Sequence, residues 1–479
     1  MGEGLDWIRR QKPAPQYTIV HDPDTEIVKS AHEIGGINVR DADLRGLVIL
    51  EQQRVGPTPE VGDDKLRNLE LRSGFAASVV SAGDLLVGVT NRVDVLAPGL
   101  TPGAGVLEKL HLKELDQKSG WMTFELPDGA DREKIYEELQ AHPDIKSFDP
   151  ELIFWKSTVQ RLPERGNLRS SIEDIFAAIS FSDALKAQLR YDENVRVAVV
   201  DGGIDHRNVL FQDTPIEYFD SFRSNQPNPP RRTIVNPHGT RCAGILAAVA
   251  PALGLCSGVH LVDCHSVHST TGAPDELAYS THMWRTFEWL LEQPGVRVVN
   301  ISLSMPPHAR VTQALEQLAR NGGGGQGVVI CAASGNSGGG VAYPARIEEI
   351  ILAVGGCDLT GAPIVPASGL GWANGQGSAL DLLAPAIAVP TADLSTNLPH
   401  SSGWTHFDRT SCATPIVSSV AAMCFATNPS LDADSVRRIL RMTAGDGSTG
   451  EIRQWSDERG FGSVHAARAI EAASQSRIV

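Results

Sequence analysis

The stretch Val-Arg-Val-Ala-Val-Val-Asp-Gly-Gly, residues 195–203, decides the fold. Its valine-rich first part predicts a buried strand, and the acid and two glycines that follow predict the loop beyond it. Further apolar runs predict strands at 259–262, 296–303, 328–333 and 350–354, and helical patterns lie between them at 238–250, 275–292 and 311–320. Largely apolar strands that alternate with helices favour a mostly parallel sheet covered on both faces. We therefore expect a three-layer α/β domain.

Polar residues follow the ends of three of these strands. Asp201, Ser304 and the segment 334–336 each come directly after an apolar run. In open parallel sheets ligands bind beyond the carboxyl ends of the strands, so these residues should share one crevice. His238, at a junction between a loop and a helix, is free to face the same cleft. Three of these residues have an alternative interpretation: Asp201 as a helix cap or a ribose-binding acid, His238 as a structural histidine, and Asn336 as a turn residue.

A second stretch, Asp-Arg-Thr-Ser-Cys-Ala-Thr-Pro at residues 408–415, leads into the apolar segment 416–426. Proline is best tolerated in the first turn of a helix, which places Ser411 near a helix N-terminus. Free backbone N–H groups and the positive end of the helix dipole favour negative charge there, which suits a nucleophile. The simpler alternative is that Thr410 or Ser411 caps the helix.

The composition describes a globular protein of two or three domains, with 479 residues of which 42% are apolar and 21% charged. The net charge of −15 argues against nucleic acid and anionic membranes as partners, because both attract basic surfaces. The first residues show no signal-peptide pattern, and no window approaches eighteen uninterrupted apolar residues. The seven cysteines are scattered without a CxxC pair, which favours reduced thiols. We therefore expect a cytoplasmic protein.

Several segments, taken in order, resemble the motifs of the subtilisin-like serine proteases, the subtilases. Residues 197–205 resemble that family's aspartate motif, 238–244 its histidine motif, 332–338 its oxyanion-asparagine motif and 410–415 its serine motif. Segments 343–345, 353–355 and 383–385 resemble the landmarks that connect these motifs in the family. Segments 436–444 and 460–462 also match the family's pattern. The resemblance covers about residues 172–470 and implies a subtilisin-like catalytic domain over 172–479.

The resemblance implies a serine endopeptidase that forms an acyl-enzyme. Ser411 would be the nucleophile, His238 the general base and acid, and Asp201 the residue that orients the imidazole. The side chain of Asn336 and the backbone N–H of Ser411 would stabilise the oxyanion. The substrate would be a protein or peptide. Its cleft would be lined by Ser302, Leu303, Ser304, Ala333, Ser334 and Gly335.

Two positions depart from the family's pattern. Arg409 stands where the family usually has Gly before Thr-Ser, and we expect it to strain the nucleophile turn or to cover the cleft. Ser304 also replaces a usual Gly, in a segment that would form one wall of the cleft. Arg409 keeps a second hypothesis open, a catalytically dead scaffold or binding protein with a subtilase fold. A nucleotide-binding function is disfavoured, because glycines 322–325 precede a strand rather than follow one and no Walker lysine is present.

The N-terminal part divides into 1–110, of unknown role, and 111–157, which resembles a subtilase propeptide. Strand patterns at 121–126, 145–148 and 152–155 surround an amphipathic helix at 131–141, and further strands are predicted at 46–51, 75–80 and 85–89. We therefore expect a smaller α+β domain. A polar linker with three arginines, 158–171, separates it from the catalytic domain.

In that family the propeptide lays its C-terminal tail in the active-site cleft. The resemblance therefore predicts a zymogen in which residues near 152–170 occupy the active site until they are cut. Region 1–110 exceeds what a propeptide needs, so we expect it to bind a regulatory partner. No motif identifies that partner.

The expected chemistry needs no cofactor and no metal. Family members often bind structural calcium, but no acidic loop here can be assigned to it. Cys264, His265 and His268 lack a convincing fourth ligand, which favours a structural cluster over a metal site. Cys242 and Cys412 lie beside the expected base and nucleophile, which predicts inhibition by thiol reagents. The alternative is that both are small buried residues.

Overall fold

The computed structural model describes residues 2–21, 37–41, 47–52, 76–82, 85–100, 106–127, 129–156, 169–226, 228–250, 253–269, 276–395, 403–446, 451 and 454–476. The chain divides into two compact units. The first comprises Met1–Val159, Leu277–Thr281 and Pro306–Thr312, and the second comprises Gln160–Glu276, His282–Met305 and Gln313–Val479. The stretches 1–110 and 111–157 both belong to the first unit. Most of the expected linker, 158–171, lies outside the described residues.

The first unit is built on an antiparallel sheet. Its strands are β1 (Lys12–His21), β2 (Ile37–Asp41), β3 (Leu47–Gln52), β4 (Ala76–Ala82), β5 (Leu85–Leu96), β6 (Lys113–Lys118), β7 (Trp121–Glu125) and β8 (Ser147–Lys156). Their order is β8-β5-β4-β1-β3-β2, with β7 also paired to β5 and β6 to β7. The helices are α1 (Glu3–Ile8), α2 (Val106–Lys109) and α3 (Arg132–Ala141).

Helix α3 covers part of this sheet. Asp131 caps it, since the carboxylate accepts a hydrogen bond from the backbone N–H of Lys134 at 3.2 Å. Tyr136 and Leu139 are buried in one cluster with Phe124 and Phe148, and the rings of Tyr136 and Phe148 stack at 5.7 Å. The stripe of apolar residues on α3 therefore provides the core of this part of the unit.

Buried charges hold the segment Pro306–Thr312 within the first unit. The guanidinium of Arg310 is 1% exposed and donates to the Asp94 carboxylate at 3.1 Å and to the Thr123 hydroxyl at 2.9 Å. The Asp149 carboxylate accepts the backbone N–H of Ala309 at 2.6 Å. Because ions buried together are stable only while they remain paired, this arrangement fixes the segment tightly.

The remaining strands are β9 (Arg196–Asp201), β10 (Ile216–Asp220), β11 (His260–His265), β12 (Val267–Ser269), β13 (Glu276–Tyr279), β14 (Val296–Ile301), β15 (Val329–Ala333), β16 (Ile351–Cys357), β17 (Leu380–Pro385), β18 (Val389–Ala392) and β19 (Trp404–Phe407). Seven of them form one sheet in the order β10-β11-β9-β14-β15-β16-β17. All of its neighbouring strands are parallel. The predicted α/β fold class is confirmed.

The remaining helices are α4 (Ile172–Ala178), α5 (Asp183–Gln188), α6 (His238–Ala247), α7 (Ser280–Leu291), α8 (Ala309–Asn321), α9 (Thr410–Thr427), α10 (Ala433–Thr443) and α11 (Ala466–Gln475). Helix α9 packs against strands β14 to β17 and against α6, α10 and α11. By length and composition alone α9 could cross a membrane, but 89% of it is buried inside the protein. A helix that is apolar on all sides and enclosed in this way is a core helix.

Two secondary-structure predictions were wrong. The helix expected at 275–292 begins only at Ser280, because residues 277–279 form a ladder with β8 in which Leu277 lies opposite Trp155. The two short strands expected at 145–148 and 152–155 are the single strand β8. A register shift in the ladder with β5 accommodates Pro150, which cannot donate a hydrogen bond.

Candidate active site

Asp201 is the last residue of β9 and is fully buried. Its carboxylate lies against Nδ1 of His238, at 2.9 Å from Oδ2 and 3.1 Å from Oδ1. Oδ1 also accepts the backbone N–H of Gly202 at 2.7 Å. The valine-rich strand thus ends in a carboxylate that is held in place by both its own backbone and the imidazole.

His238 begins α6, and its backbone N–H donates to Oδ1 of Asn236 at 2.9 Å. Its side chain is 13% exposed. The following residue has to be glycine, because a Cβ on Gly239 would lie 2.5 Å from the carbonyl oxygen of Gly203 and 3.0 Å from Cβ of Asp201. This close approach brings the start of α6 to the end of β9. Phe407, which no sequence motif indicated, meets the imidazole edge-on with its ring at 5.5 Å.

Ser411 is the second residue of α9 and is 6% exposed. Its hydroxyl donates to the carbonyl of Ser302 at 3.2 Å, and its own carbonyl accepts the hydroxyl of Ser302 at 3.0 Å. Hydrogen bonds between described residues do not include one from Ser411 to His238. The Ser411 hydroxyl is therefore directed towards the segment that follows β14.

Asn336 follows β15 and is joined to the start of α9. Its Oδ1 accepts both the backbone N–H of Thr410 at 3.1 Å and the Thr410 hydroxyl at 3.0 Å. These two donors fix the orientation of the amide, so its NH2 group points away from Thr410. The role of Thr410 was missed, although a hydroxyl residue directly before the expected nucleophile was a usable signal.

Arg409 adopts a backbone conformation that is essentially restricted to glycine. Its φ is 80° and its ψ is −179°. Its N–H donates to the carbonyl of Ala386 at 3.0 Å, and its carbonyl accepts the N–H of Cys412 at 3.1 Å. Both hydrogen bonds hold the turn in place. The structure therefore shows the strain at the nucleophile turn that the missing glycine predicts.

The expected cleft residues lie at or just beyond the carboxyl ends of the neighbouring strands β14 and β15, and β14 is also the neighbour of β9 in the sheet. Five are buried and one, Ser304, is partly exposed; the buried five are Ser302, Leu303, Ala333, Ser334 and Gly335. Ser304 therefore offers the most accessible side chain of this set. Ser302 directs its hydroxyl towards Ser411.

Cys242 lies between Asp201 and the backbone of Ser411. Its Sγ is 3.9 Å from Oδ2 of Asp201 and 3.6 Å from the carbonyl oxygen of Ser411. Asp201, His238 and Cys242 each offer one ligand atom within 4.8 Å of the others, so these residues have the spacing of a metal site. Cys412 instead lies in the core, where burial raises its thiol pKa well above the usual value. A thiol in that state reacts slowly.

The Cys264, His265 and His268 group does not show such ligand spacing among the described residues. His265 is buried, and burial lowers its pKa to about 4. The rings of His265 and His268 both pack around Phe222, at 6.2 and 5.7 Å. These contacts favour the structural interpretation of the group.

A model of the subtilase family matches residues 192–462, which is more than half of the chain. The chain is a subtilase. Residues 111–157 lie outside the matched range, so their resemblance to a subtilase propeptide stays a prediction.

Two curated relatives show the extent of the similarity. Alkaline elastase YaB from Bacillus sp. (strain YaB) is 32% identical over 252 residues, which are 52% of this chain and 59% of that protein. Subtilisin Savinase from Lederbergia lenta is 32% identical over 252 residues, 52% of this chain and 83% of that protein. The subtilase thus spans about three fifths of the length of alkaline elastase YaB.

Two solved structures also resemble this subtilase. The prenylagaramide maturation protease PagA is 22% identical with a TM-score of 0.47, over 60% of this chain and 98% of that one. A mutant of the protease domain of PatA is 22% identical with a TM-score of 0.48, over 61% of this chain and 99% of that one.

Proposed function

We propose that this subtilase is a serine endopeptidase that hydrolyses protein or peptide substrates through an acyl-enzyme. The observation that supports this most strongly is the contact between Nδ1 of His238 and both carboxylate oxygens of Asp201. With Nδ1 donating to the carboxylate, the neutral imidazole presents Nε2 as a proton acceptor. A general base is thereby prepared on the side of the ring that faces away from Asp201.

The remaining steps follow from the positions of Ser411 and Asn336. Ser411 leaves the carbonyl of Ser302, gives its proton to His238 and attacks the substrate carbonyl. The developing oxyanion accepts hydrogen bonds from Nδ2 of Asn336 and the backbone N–H of Ser411. His238 then passes the proton to the leaving amine, and water hydrolyses the acyl-enzyme. These steps need no metal or cofactor.

A fluorophosphonate probe tests this proposal directly. Purified wild-type protein should be labelled, with the adduct located on Ser411 by mass spectrometry. Ser411→Ala should not be labelled, and His238→Ala should react much more slowly because the base is lost. Labelling of Ser411→Ala at the wild-type rate, or a wild-type protein that stays unlabelled, would contradict the proposal.

We also propose that the protein is a zymogen that cuts itself between residues 157 and 169. On one side of this segment, Trp155 is buried in β8, which pairs with β5. On the other side, Ser170 is bound to the backbone of the second unit, through its N–H to Ala388 and its hydroxyl to Ile387. Cleavage within either anchored part would have to break buried structure. The expected tail, near 152–170, lies for the most part outside the described residues.

N-terminal sequencing of incubated protein tests self-cleavage. Wild type should shorten to a chain that begins at a residue from 158 to 169, while Ser411→Ala stays full length. Wild type that remains intact yet cleaves a casein substrate would contradict the zymogen proposal and leave the peptidase proposal standing. A cytoplasmic location and a regulatory partner for 1–110 remain predictions from the sequence.

One observation favours a second candidate function, a catalytically dead scaffold or binding protein. Arg409 places a large side chain and a glycine-only conformation two residues before Ser411. In a dead scaffold, the strained turn would hold Ser411 away from His238 permanently. The same probe distinguishes the candidates, because only an active site reacts at Ser411.

A further inference from the structure

Helix α9 contains a proline that removes a hydrogen bond from the nucleophile. In an α-helix the carbonyl of residue 411 would accept the N–H of residue 415. Residue 415 is Pro415, which has no N–H, and it lies inside α9. The carbonyl of Ser411 therefore needs a donor from outside the helix, because a buried acceptor without one is costly.

Two side chains supply that donor. The hydroxyl of Ser302 donates to the Ser411 carbonyl at 3.0 Å, across 109 residues of sequence. The thiol of Cys242 approaches the same oxygen at 3.6 Å and is a weaker donor. Ser302 thus takes over the hydrogen bond that Pro415 cannot make.

Ser302 is itself oriented by a buried relay. Nδ2 of Asn300 donates to the Ser302 hydroxyl at 3.0 Å. The Ser418 hydroxyl shares its one hydrogen between Oδ1 of Asn300 at 3.1 Å and the Thr414 carbonyl at 3.0 Å. Asn300 and Ser418 are fully buried, and Ser302 is 2% exposed. Since Nδ2 can only donate, it leaves the Ser302 hydrogen free to point at Ser411. The relay connects the end of β14 to the first three turns of α9.

We propose that Ser302, oriented by Asn300, is a positioning residue that fixes the peptide group of the nucleophile Ser411. Its hydroxyl holds the Ser411 carbonyl, and its own carbonyl holds the Ser411 hydroxyl in the resting state. Loss of the first contact would let the start of α9 shift, which displaces both the Ser411 hydroxyl and its backbone N–H. The inference rests on the proposed peptidase function.

The competing interpretation is that the relay only stabilises the packing of α9 on β14. A double-mutant cycle with Pro415 separates the two. Pro415→Ala restores a backbone N–H that can donate to the Ser411 carbonyl, so the Ser302 hydroxyl becomes redundant for positioning. It does not replace the contact between Asn300 and Ser418, so a purely structural role of the relay would be unaffected.

The experiment compares wild type, Ser302→Ala, Pro415→Ala and the double variant. The readout is the second-order rate constant of fluorophosphonate labelling at Ser411, with urea unfolding measured in parallel. Ser302→Ala should label about tenfold more slowly than wild type, the factor expected for one lost buried hydrogen bond. In the Pro415→Ala background the same substitution should change the rate by less than about twofold.

Ser419→Ala provides a matched control on the same helix. Ser419 is also buried, and its hydroxyl donates to the Pro415 carbonyl at 2.8 Å outside the relay. It should label at the wild-type rate. If Ser302→Ala fails to fold, Ser302→Cys takes its place, since a thiol keeps the volume but donates weakly.

The outcomes separate the two proposals. The positioning role is overturned if Ser302→Ala slows labelling by the same factor in both backgrounds, or if Ser302→Ala labels at the wild-type rate. The peptidase function stands in either case. A wild-type protein that does not label overturns both. The positioning role is supported if Ser302→Ala slows labelling in the wild-type background but hardly changes the rate in the Pro415→Ala background.

Discussion

The base side of the proposed active site, Asp201 and His238, and its nucleophile side, residues 409–411, reach their geometry by different means. The base side uses ordinary conformations, and its central contact is one hydrogen-bonded pair at 2.9 Å. The nucleophile side starts from a glycine-only backbone at Arg409 and depends on donors from other elements. Local strand and helix ends are therefore sufficient for the base, whereas the nucleophile depends on the tertiary structure around it.

The largest effect should come from the base side. Asp201→Asn preserves the shape of the side chain but no longer fixes the imidazole tautomer that leaves Nε2 as the base. We expect the labelling rate at Ser411 to fall about ten-thousandfold, as for the equivalent change in other serine protease triads. A fall of less than tenfold, with an unchanged urea midpoint, would show that the pair does not act as the base.

A buried carboxyl beside the base side gives the second prediction. Asp263 lies on β11, the neighbour of β9, and its Oδ2 accepts the N–H of Ile204 in the loop after Asp201. Burial raises its pKa from 3.8 to about 7, which outweighs the hydrogen bond from Ile204 and the charge of Arg231. The folded protein therefore keeps a proton that the unfolded chain loses above about pH 4.

The sign follows from that difference in bound protons. Between pH 4 and pH 7 the unfolded state binds fewer protons at this group, so Asp263 makes stability fall as the pH rises. His265 acts in the opposite direction, because its lowered pKa makes stability rise between about pH 4 and 6.5. Asp263→Asn removes only the first contribution and can still accept from Ile204.

Urea unfolding at pH 5 and pH 7 measures the effect. The difference in the free energy of unfolding, Asp263→Asn minus wild type, should be about 2 kcal/mol larger at pH 7 than at pH 5. Parallel pH dependences would show that Asp263 is ionised in the folded protein.

The third prediction concerns how the nucleophile side holds the oxyanion donor. Thr410→Val keeps the backbone hydrogen bond to Asn336 but removes the one from the hydroxyl. We expect about a tenfold slower labelling rate, because the amide is held by one donor instead of two. Thr410→Ser keeps the hydroxyl and should label at nearly the wild-type rate. Equal rates for the Val and Ser variants would show that the backbone donor alone orients Asn336.

The same contrast explains what the sequence could predict. The strand before Asp201 and the helix after His238 follow from local patterns, and family motifs indicated Ser411 and Asn336. The strand β10 (Ile216–Asp220) went unrecognised because its five residues alternate polar and apolar character only weakly. The functions of Asn300 and Ser302 depend on a contact across 109 residues, which no local pattern encodes.

The smallest effect should come from Arg409→Gly. A residue other than glycine in this conformation lowers the stability of the folded state by about 1–3 kcal/mol. Glycine removes this strain, but its more flexible unfolded chain lowers the stability by about 0.5–1 kcal/mol. We therefore expect the variant to be more stable than wild type by about 1 kcal/mol in urea unfolding. Arg409→Ala keeps the Cβ and the strain, so it should gain nothing.

The two variants of Arg409 also test the choice between the candidate functions. If Arg409→Ala stabilises the protein as much as Arg409→Gly, the side chain rather than the backbone is the source of strain. A further outcome is that wild type stays unlabelled by the probe while Arg409→Gly reacts at Ser411. In that case the base side is complete, and the turn at Arg409 alone prevents Ser411 of the wild type from reacting. That result would support the scaffold function and place its cause in one residue of the nucleophile side.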